Sequence, residues 1–137
     1  LLYPALCIPD AARAGEMLWL KFDPSHIPEK MHAGPMPLGR RYAADVMNMD
    51  AFRQIAGYSG KVLLMHGDRD AIVDISYAEK AESVYRAAGA DIRFVIIPGG
   101  KHIFCKPSQI RQATQEITAF VRKIKEENEN EADNGTV

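Results

Sequence analysis

The chain has 137 residues, of which 47% are apolar and 26% are charged, and its formal net charge is −1. This length and composition are typical of one globular domain with its own hydrophobic core. The charge is too small and too scattered to indicate a nucleic-acid surface, and no run of about 20 apolar residues predicts a membrane span, so we expect neither partner.

The chain begins at Leu1, inside the apolar run Leu1–Leu6, and not at a methionine. The run predicts a buried strand, and no charged segment precedes it, which argues against a signal peptide. We therefore expect that coding sequence is missing upstream, together with any targeting signal. Localisation to the cytoplasm is an expectation that a signal in the missing part would overturn.

Residues 9 to about 50 predict an irregular segment, because five of them are prolines, which interrupt long helices and strands. The segment also holds five of the six methionines of the chain. Flexible thioethers and aromatic rings suit an apolar cover over an acyl or aromatic group, which makes Trp19, Phe22 and Met31 candidate substrate contacts. Ordinary packing beneath irregular loops explains the same composition and is slightly favoured.

The following stretch alternates between helix and strand patterns. The predicted elements are a short helix over 49–56, a strand over 62–65, a helix over 75–88, a strand over 92–97 and a helix over 107–124. We expect Ser76 and Glu79 to form a capping box at the start of the second helix, and a left-handed Gly89 to end it. Residues 125–137 are acidic and lack periodicity, which predicts a disordered tail.

Alternation of strand and helix predicts the α/β class with a parallel sheet, in which sites lie at the carboxyl ends of the strands. The loop at that end of the first strand of this stretch holds Asp68, Asp70 and Asp74, and the loop of the second holds His102. Such loops start about 5 Å apart, or about 10 Å with one strand between them. A carboxylate bonded to one imidazole nitrogen leaves the other free to accept a proton from a nucleophile. A helix-capping aspartate and a turn histidine fit these positions equally well.

Two motifs on these loops resemble those of α/β-hydrolases. Residues 61–73, K-V-L-L-M-H-G-D-R-D-A-I-V, resemble the strand and acid loop, in which H-G-x-x-D is followed by two residues and a valine. Residues 99–104, G-G-K-H-I-F, resemble the histidine loop G-x-x-H-x-F. The resemblance implies a partial α/β-hydrolase fold over residues 1–124, in which Asp70 is the triad acid and His102 the triad base.

The segments Phe22–Pro28 and Gly39–Tyr42 resemble the lid of cinnamoyl and feruloyl esterases, so residues 9–50 correspond to a lid insertion. The resemblance implies a serine hydrolase that acts on a small-molecule carboxylic ester without a cofactor. A serine peptidase of the prolyl oligopeptidase or aminopeptidase type is the nearest alternative, since its acid and histidine loops look alike. The insertion after residue 6 favours the esterase.

The family's nucleophile motif, G-x-S-x-G, is not found in this chain. The five serines, all in other contexts, are Ser25, Ser59, Ser76, Ser83 and Ser108. The resemblance places the nucleophile before Leu1, so we expect no turnover from the chain alone. A degenerate, non-catalytic binding module is the alternative from a different class. Half a sheet leaves an edge and a face without partners, so we also expect self-association.

The remaining polar candidates have simpler predicted roles. Asp68 is expected to bond turn amides, Asp74 to support the start of the next helix, and His66 to be structural at the end of a buried strand. Cys7 and Cys105 lie far apart without a zinc-binding spacing, so we expect no metal site and free thiols in a reducing compartment.

Overall fold

A parallel pair of strands lies between helices, and a segment of shorter elements precedes it in the chain. The computed structural model describes residues 1–17, 20–33 and 36–134. In chain order the elements are α1 (Ile8–Arg13), β1 (Glu16–Met17), β2 (Leu20–Lys21), β3 (Lys30–Ala33), β4 (Met36–Gly39), α2 (Arg40–Met47), α3 (Ala51–Ile55), β5 (Lys61–Gly67), α4 (Ile75–Ala87), β6 (Asp91–Ile97) and α5 (Pro107–Asn134).

Strands β5 and β6 pair in parallel along their whole length, from Lys61 opposite Asp91 to Gly67 opposite Ile97. On the other side of β5, Leu2 forms a parallel bridge with Met65. Residues 1–3 therefore lie along the edge of the sheet, but the run Leu1–Leu6 is not the predicted buried strand, since it has this single bridge and Leu1 is 53% and Leu2 40% exposed. The cause is that no described strand covers its outer edge.

Helices cover both faces of β5, as its continuous apolar run predicts. Successive side chains of a strand point to opposite faces. Val62 and Leu64 pack with residues of α4, whereas Leu63 and Met65 pack with Phe104 and Ala113 of the α5 side. This three-layer arrangement confirms the predicted α/β class.

Residues 8–47, named the lid after the predicted insertion over 9–50, have more regular structure than their prolines suggest. The lid consists of α1, the antiparallel pairs β1–β2 and β3–β4, and α2. Its elements accommodate prolines: Pro9 lies in the first turn of α1, where no amide hydrogen bond is lost, and Pro37 lies in β4, which pairs with β3 alone among the described strands. The lid has its own apolar core, which includes Ala12, Met17, Ala43 and Val46. The expectation of an irregular insertion is therefore corrected.

Polar contacts tie the lid to itself and to the sheet domain. The guanidinium of Arg13 donates to the carbonyl oxygens of Met47 and Met49, both at 2.9 Å. Asp10 pairs with Arg13 and accepts a hydrogen bond of 3.0 Å from the Tyr77 hydroxyl of α4. The helix that opens the lid is thus anchored on both sides.

Helix α4 begins after a polar N-cap residue and ends before a glycine. Its N-cap is Asp74, whose side chain accepts from the amide of Ser76, so the predicted capping box of Ser76 and Glu79 is wrong and the supporting role of Asp74 is confirmed. Asp74 holds this position because its backbone is extended, as an N-cap requires, whereas Ser76 is already helical. Gly89 has a φ of +80°, which confirms the left-handed end.

Helix α5 begins at Pro107 as predicted but continues to Asn134, so residues 125–134 are helical and not disordered. Glu127 stabilises this extension, since it forms an ion pair with Lys61 of β5 and its Oε1 lies 3.7 Å from Nζ of Lys123. The spacing of apolar residues does not predict this helical extension, because its glutamates and lysines favour a helix through their intrinsic propensity and through ion pairs. None of the described helices is long and apolar enough to cross a membrane.

Candidate active site

The loop after β5 holds the carboxylate of Asp70 in one orientation. Its Oδ1 accepts hydrogen bonds from the amides of Ile72 and Val73, both at 2.9 Å. An aspartate that accepts from amides two and three residues ahead closes its own turn. The local sequence D-A-I-V therefore folds around the carboxylate and leaves Oδ2 to face another group.

That group is His102, on the loop after β6. Oδ2 of Asp70 lies 3.0 Å from Nδ1 of His102, with the Asp70 side chain fully buried and that of His102 25% exposed. Burial alone would raise the pKa of Asp70, but the amides of Val73 and Ile72 and the imidazole of His102 outweigh it, so this pKa lies below its usual value. An ionised carboxylate only accepts, so Nδ1 of His102 carries the proton.

Backbone contacts join the acid loop to the histidine loop. Oδ1 of Asp68 accepts a 2.6 Å hydrogen bond from the amide of Gly99, and the amide of Arg69 donates to the carbonyl of Gly100 at 2.9 Å. Gly67 and Gly100 approach so closely that a Cβ on either would collide with the backbone of the other. Asp68 thus bonds an amide, as expected, but on the neighbouring loop.

Two residues that the sequence did not single out support His102. Gln109 is buried, and its side-chain amide donates to the carbonyl of Pro98 at 3.2 Å and accepts from the amide of Lys106 at 3.4 Å, which braces the histidine loop. The Tyr3 ring lies 5.2 Å from the ring of His102, between centroids. No sequence pattern distinguishes a glutamine in the first turn of a helix, so Gln109 could not be predicted. The contact of Tyr3 with His102 could not be predicted either, because it depends on the position of the N-terminal residues beside β5.

A cavity of about 510 Å³ lies between these loops and the lid. His102 and Val73 contribute to one wall, and Ile8, Met17 and Leu20 of the lid contribute to the other. Its size falls within the range of small-molecule sites, about 300–1,000 Å³, and its lining is mostly apolar. The geometry therefore presents the exposed part of the imidazole to a space that accepts an apolar group.

The cavity also contains a few polar groups. Glu16 and Lys21 form an ion pair of 3.3 Å across the β1–β2 hairpin, and Tyr42 of α2 lies nearby in the lining. The thiol of Cys7 lines the cavity as well, and burial raises its pKa. Both cysteines are free thiols in the structure.

Phe22 and Met31, two of the predicted substrate contacts, are not among the described residues that line this cavity. Met31 is buried in the apolar core of the lid and Phe22 packs against that core, so both are corrected to packing residues. Met31 belongs to the cluster that includes Ala12 of α1 and Ala43 of α2, and Phe22 packs against it. Trp19 lies outside the described residues.

No serine is bonded to the remaining nitrogen of His102, although all five serines are described. Ser25, His26 and Asp23 do form a cluster, with Ser25 Oγ 2.9 Å and Asp23 Oδ2 3.2 Å from the same nitrogen, His26 Nδ1. A triad needs the serine and the acid on opposite nitrogens. This exposed cluster is therefore a turn motif and not a catalytic triad.

The part of the chain that the structure describes gathers no three His, Cys, Asp or Glu side chains that could hold a metal ion. The remaining acid, Asp74, is used as the cap of α4. His66 is fully buried, and its Nε2 donates to the carbonyl of Val73 at 2.9 Å.

The order of the elements, with an acid loop and a histidine loop after neighbouring parallel strands, is typical of α/β-hydrolases. Residues 11–127 match the family model described as the prolyl oligopeptidase family. The chain belongs to the prolyl oligopeptidase family. The family consists of serine hydrolases, and the chain shares part of the α/β-hydrolase fold, which confirms the resemblance noted from its motifs. No curated protein matches the chain.

Solved structures similar to this prolyl oligopeptidase-family chain include Est1E from Butyrivibrio proteoclasticus. Est1E with ferulic acid bound is 30% identical, with a TM-score of 0.74, over 86% of this chain and 47% of that chain. A second Est1E structure is 28% identical, with a TM-score of 0.68, over 85% of this chain and 49% of that one. The chain thus spans about half the length of the solved structures it matches.

Proposed function

We propose that this chain contributes the acid and the histidine of a serine hydrolase that cleaves carboxylic esters. The observation that carries the proposal is the hydrogen bond between Asp70 and His102 at the wall of an apolar cavity. A carboxylate on one imidazole nitrogen fixes the tautomer and leaves the other nitrogen for proton transfer, which is the arrangement that ester hydrolysis by serine requires.

In the proposed reaction, His102 accepts the proton of the serine hydroxyl as the serine oxygen attacks the ester carbonyl. His102 then delivers this proton to the alcohol leaving group as the acyl–oxygen bond breaks. Asp70 orients the imidazole and stabilises its protonated form. The ring of Tyr3 packs against the imidazole.

The proposal requires a serine from outside these residues, because none of the five serines reaches His102. The chain matches 47% of the Est1E structure, and we infer that the serine comes from a segment equivalent to the rest of that fold. We call the chain together with the segment that supplies the serine the complete hydrolase. The chain alone is expected to show no turnover.

An aromatic or apolar acyl group is the proposed substrate feature. Est1E was solved with ferulic acid, an aromatic carboxylic acid, bound. The cavity beside His102 has a lining rich in apolar side chains such as Ile8, Met17 and Leu20, and this lining suits such a group better than a charged one.

A serine peptidase is the second candidate, favoured by the match to the prolyl oligopeptidase family. Recognition of a peptide's charged amino end would need a free carboxylate in the cavity. Glu16 is the carboxylate among the described lining residues, and it is already paired with Lys21. This pairing supports the ester over the peptide.

A substrate comparison tests the assignment. The complete hydrolase should cleave feruloyl and other aryl esters with a kcat/KM far above that for aminoacyl amides. A preference for the amides would reject the ester assignment in favour of the peptidase, and inactivity on both would support a non-catalytic binding role.

A covalent probe tests the source of the serine. We expect a fluorophosphonate to label the complete hydrolase at a serine within G-x-S-x-G, and to leave the 137-residue chain unlabelled. Labelling of one of the five serines of the chain itself would contradict the proposal.

A further inference from the structure

His66 is a fully buried imidazole that neither the catalytic proposal nor the apolar core accounts for. It lies near the carboxyl end of β5, four residues before Asp70. Its Nε2 is 2.9 Å from the carbonyl oxygen of Val73 and 3.4 Å from Oδ2 of Asp70. Both neighbours are acceptors, so Nε2 must carry the proton of the ring.

The other ring nitrogen of His66 helps to define its state. Nδ1 is buried and has no hydrogen-bond partner among the described residues. A protonated Nδ1 would be a buried donor without an acceptor, which is costly. The neutral ring with its proton on Nε2 is therefore the form that this environment accepts.

The contact with Val73 closes the acid loop from a second side. The amide of Val73 donates to Oδ1 of Asp70, while the carbonyl of the same residue accepts from His66. Val73 is 1% exposed, so solvent does not replace either bond. The loop that carries Asp70 is thus pinned to β5 through one side chain.

The same Nε2–H lies beside the oxygen that His102 uses. Oδ2 of Asp70 is 3.0 Å from Nδ1 of His102 and 3.4 Å from Nε2 of His66, so it lies between two imidazoles. We propose that His66 is a positioning residue whose Nε2–H fixes the acid loop and holds Oδ2 of Asp70 opposite His102. The inference rests on the proposed function and deepens it, because it assigns the group that orients the acid.

A simpler role, in which the ring only fills space at the end of β5, makes different predictions. A phenylalanine fills similar space without a donor, whereas a glutamine places an amide N–H near the position of Nε2. Asparagine is too short to reach Val73. The set His66→Phe, His66→Gln and His66→Asn therefore separates shape from donation.

Nitrogen NMR of the labelled 137-residue chain tests the first step without any substitution. We expect the neutral ring of His66 to carry its proton on Nε2. Protonation at Nδ1 would overturn the proposal. This measurement stands even where a variant fails to fold.

The tautomer of His102 tests the second step. A free imidazole prefers the proton on Nε2, and contact with Asp70 forces it onto Nδ1. We expect the His66→Phe and His66→Asn variants to lose most of the Nδ1–H form of His102, and the His66→Gln variant to regain it. Native tautomer populations in a folded His66→Phe variant would overturn the proposal.

These readouts need neither substrate nor serine. Loss of the expected tautomers would reject the role of His66 while leaving an esterase possible. Native tautomers with no ester cleavage by the complete hydrolase would reject the proposed function alone.

Discussion

The two carboxylate oxygens of Asp70 have different partners, and each has a measurable consequence. Oδ1 is held by two loop amides, and Oδ2 faces His102. In the complete hydrolase, Asp70→Asn should keep the loop but favour the wrong imidazole tautomer, and lower kcat on aryl esters by about 10⁴-fold. His102→Ala should lower it to a similar extent.

The control for both variants is the exposed neighbour Lys101. Lys101→Ala leaves the pair untouched and should retain native turnover, while circular dichroism should show that all three variants are folded. Native turnover in the His102→Ala variant would remove His102 from the mechanism.

The lowered pKa of Asp70 links the site to stability at acid pH. Burial opposes ionisation here, but the amides of Val73 and Ile72 and the imidazole of His102 outweigh it. A carboxyl group whose pKa is lower in the folded state stabilises the fold above its unfolded pKa of about 3.9, and this contribution is lost as pH falls through the folded pKa.

We therefore expect the free energy of unfolding of the native chain to fall as the pH drops below about 4, and the Asp70→Asn variant to show a weaker dependence. Urea unfolding at a series of pH values measures both. The native chain has other acids with lowered pKa values, such as Asp10 beside Arg13, so the difference between the two profiles is the decisive quantity. If the two profiles of unfolding free energy against pH were parallel, the fold would not stabilise the ionised form of Asp70.

At the scale of elements, the end of α4 offers a test of backbone conformation. Gly89 has a φ of +80° and no heavy atom near the position of an added Cβ, so a side chain there would be disfavoured by the backbone conformation and not by a steric clash with neighbours. Gly89→Ala should lower the free energy of unfolding by about 1–2 kcal/mol, measured by urea unfolding. Gly57→Ala is the control, because Gly57 also has open space but no positive φ, and should not be destabilising.

The elements that the sequence predicted are those with an unambiguous apolar period. β5, α4 and β6 were predicted from such runs. Asp70 and His102 were singled out because they lie in recognisable motifs on the loops after β5 and β6. The cap of α4 was mistaken because aspartate and serine both favour N-caps, and only the backbone angles distinguish Asp74 from Ser76.

The elements that the sequence could not predict depend on contacts between distant parts of the chain. Among the described residues, β1 and β2 pair two residues each, which is too short for an alternating pattern. The cavity depends on the position of the lid against His102. The sequence left substrate contact and ordinary packing open for Phe22 and Met31, because apolar residues occur both in cores and in pockets, and the structure places both in or against the core of the lid.

At the scale of the whole molecule, one side presents apolar groups to solvent. Leu1 and Leu2 at the sheet edge, and Ile110, Ile117 and Val121 on one stripe of α5, are 39–53% exposed. Ile117 and Phe120 form a groove with Leu1 and Leu2. Contiguous apolar surface of this kind marks a contact site in soluble domains.

We propose that this groove associates with a second copy when the chain is isolated. Sedimentation velocity should show an average mass that rises with concentration above that of the 15.2 kDa chain. Ile117→Glu should abolish the rise, because a carboxylate in an apolar contact loses its hydration without a partner. Gln115→Glu adds the same charge on another face of α5, where the side chain is exposed, and should leave association unchanged. A chain that stays monomeric at all concentrations, or an Ile117→Glu variant that associates like the native chain, would show that this surface is not a contact between copies.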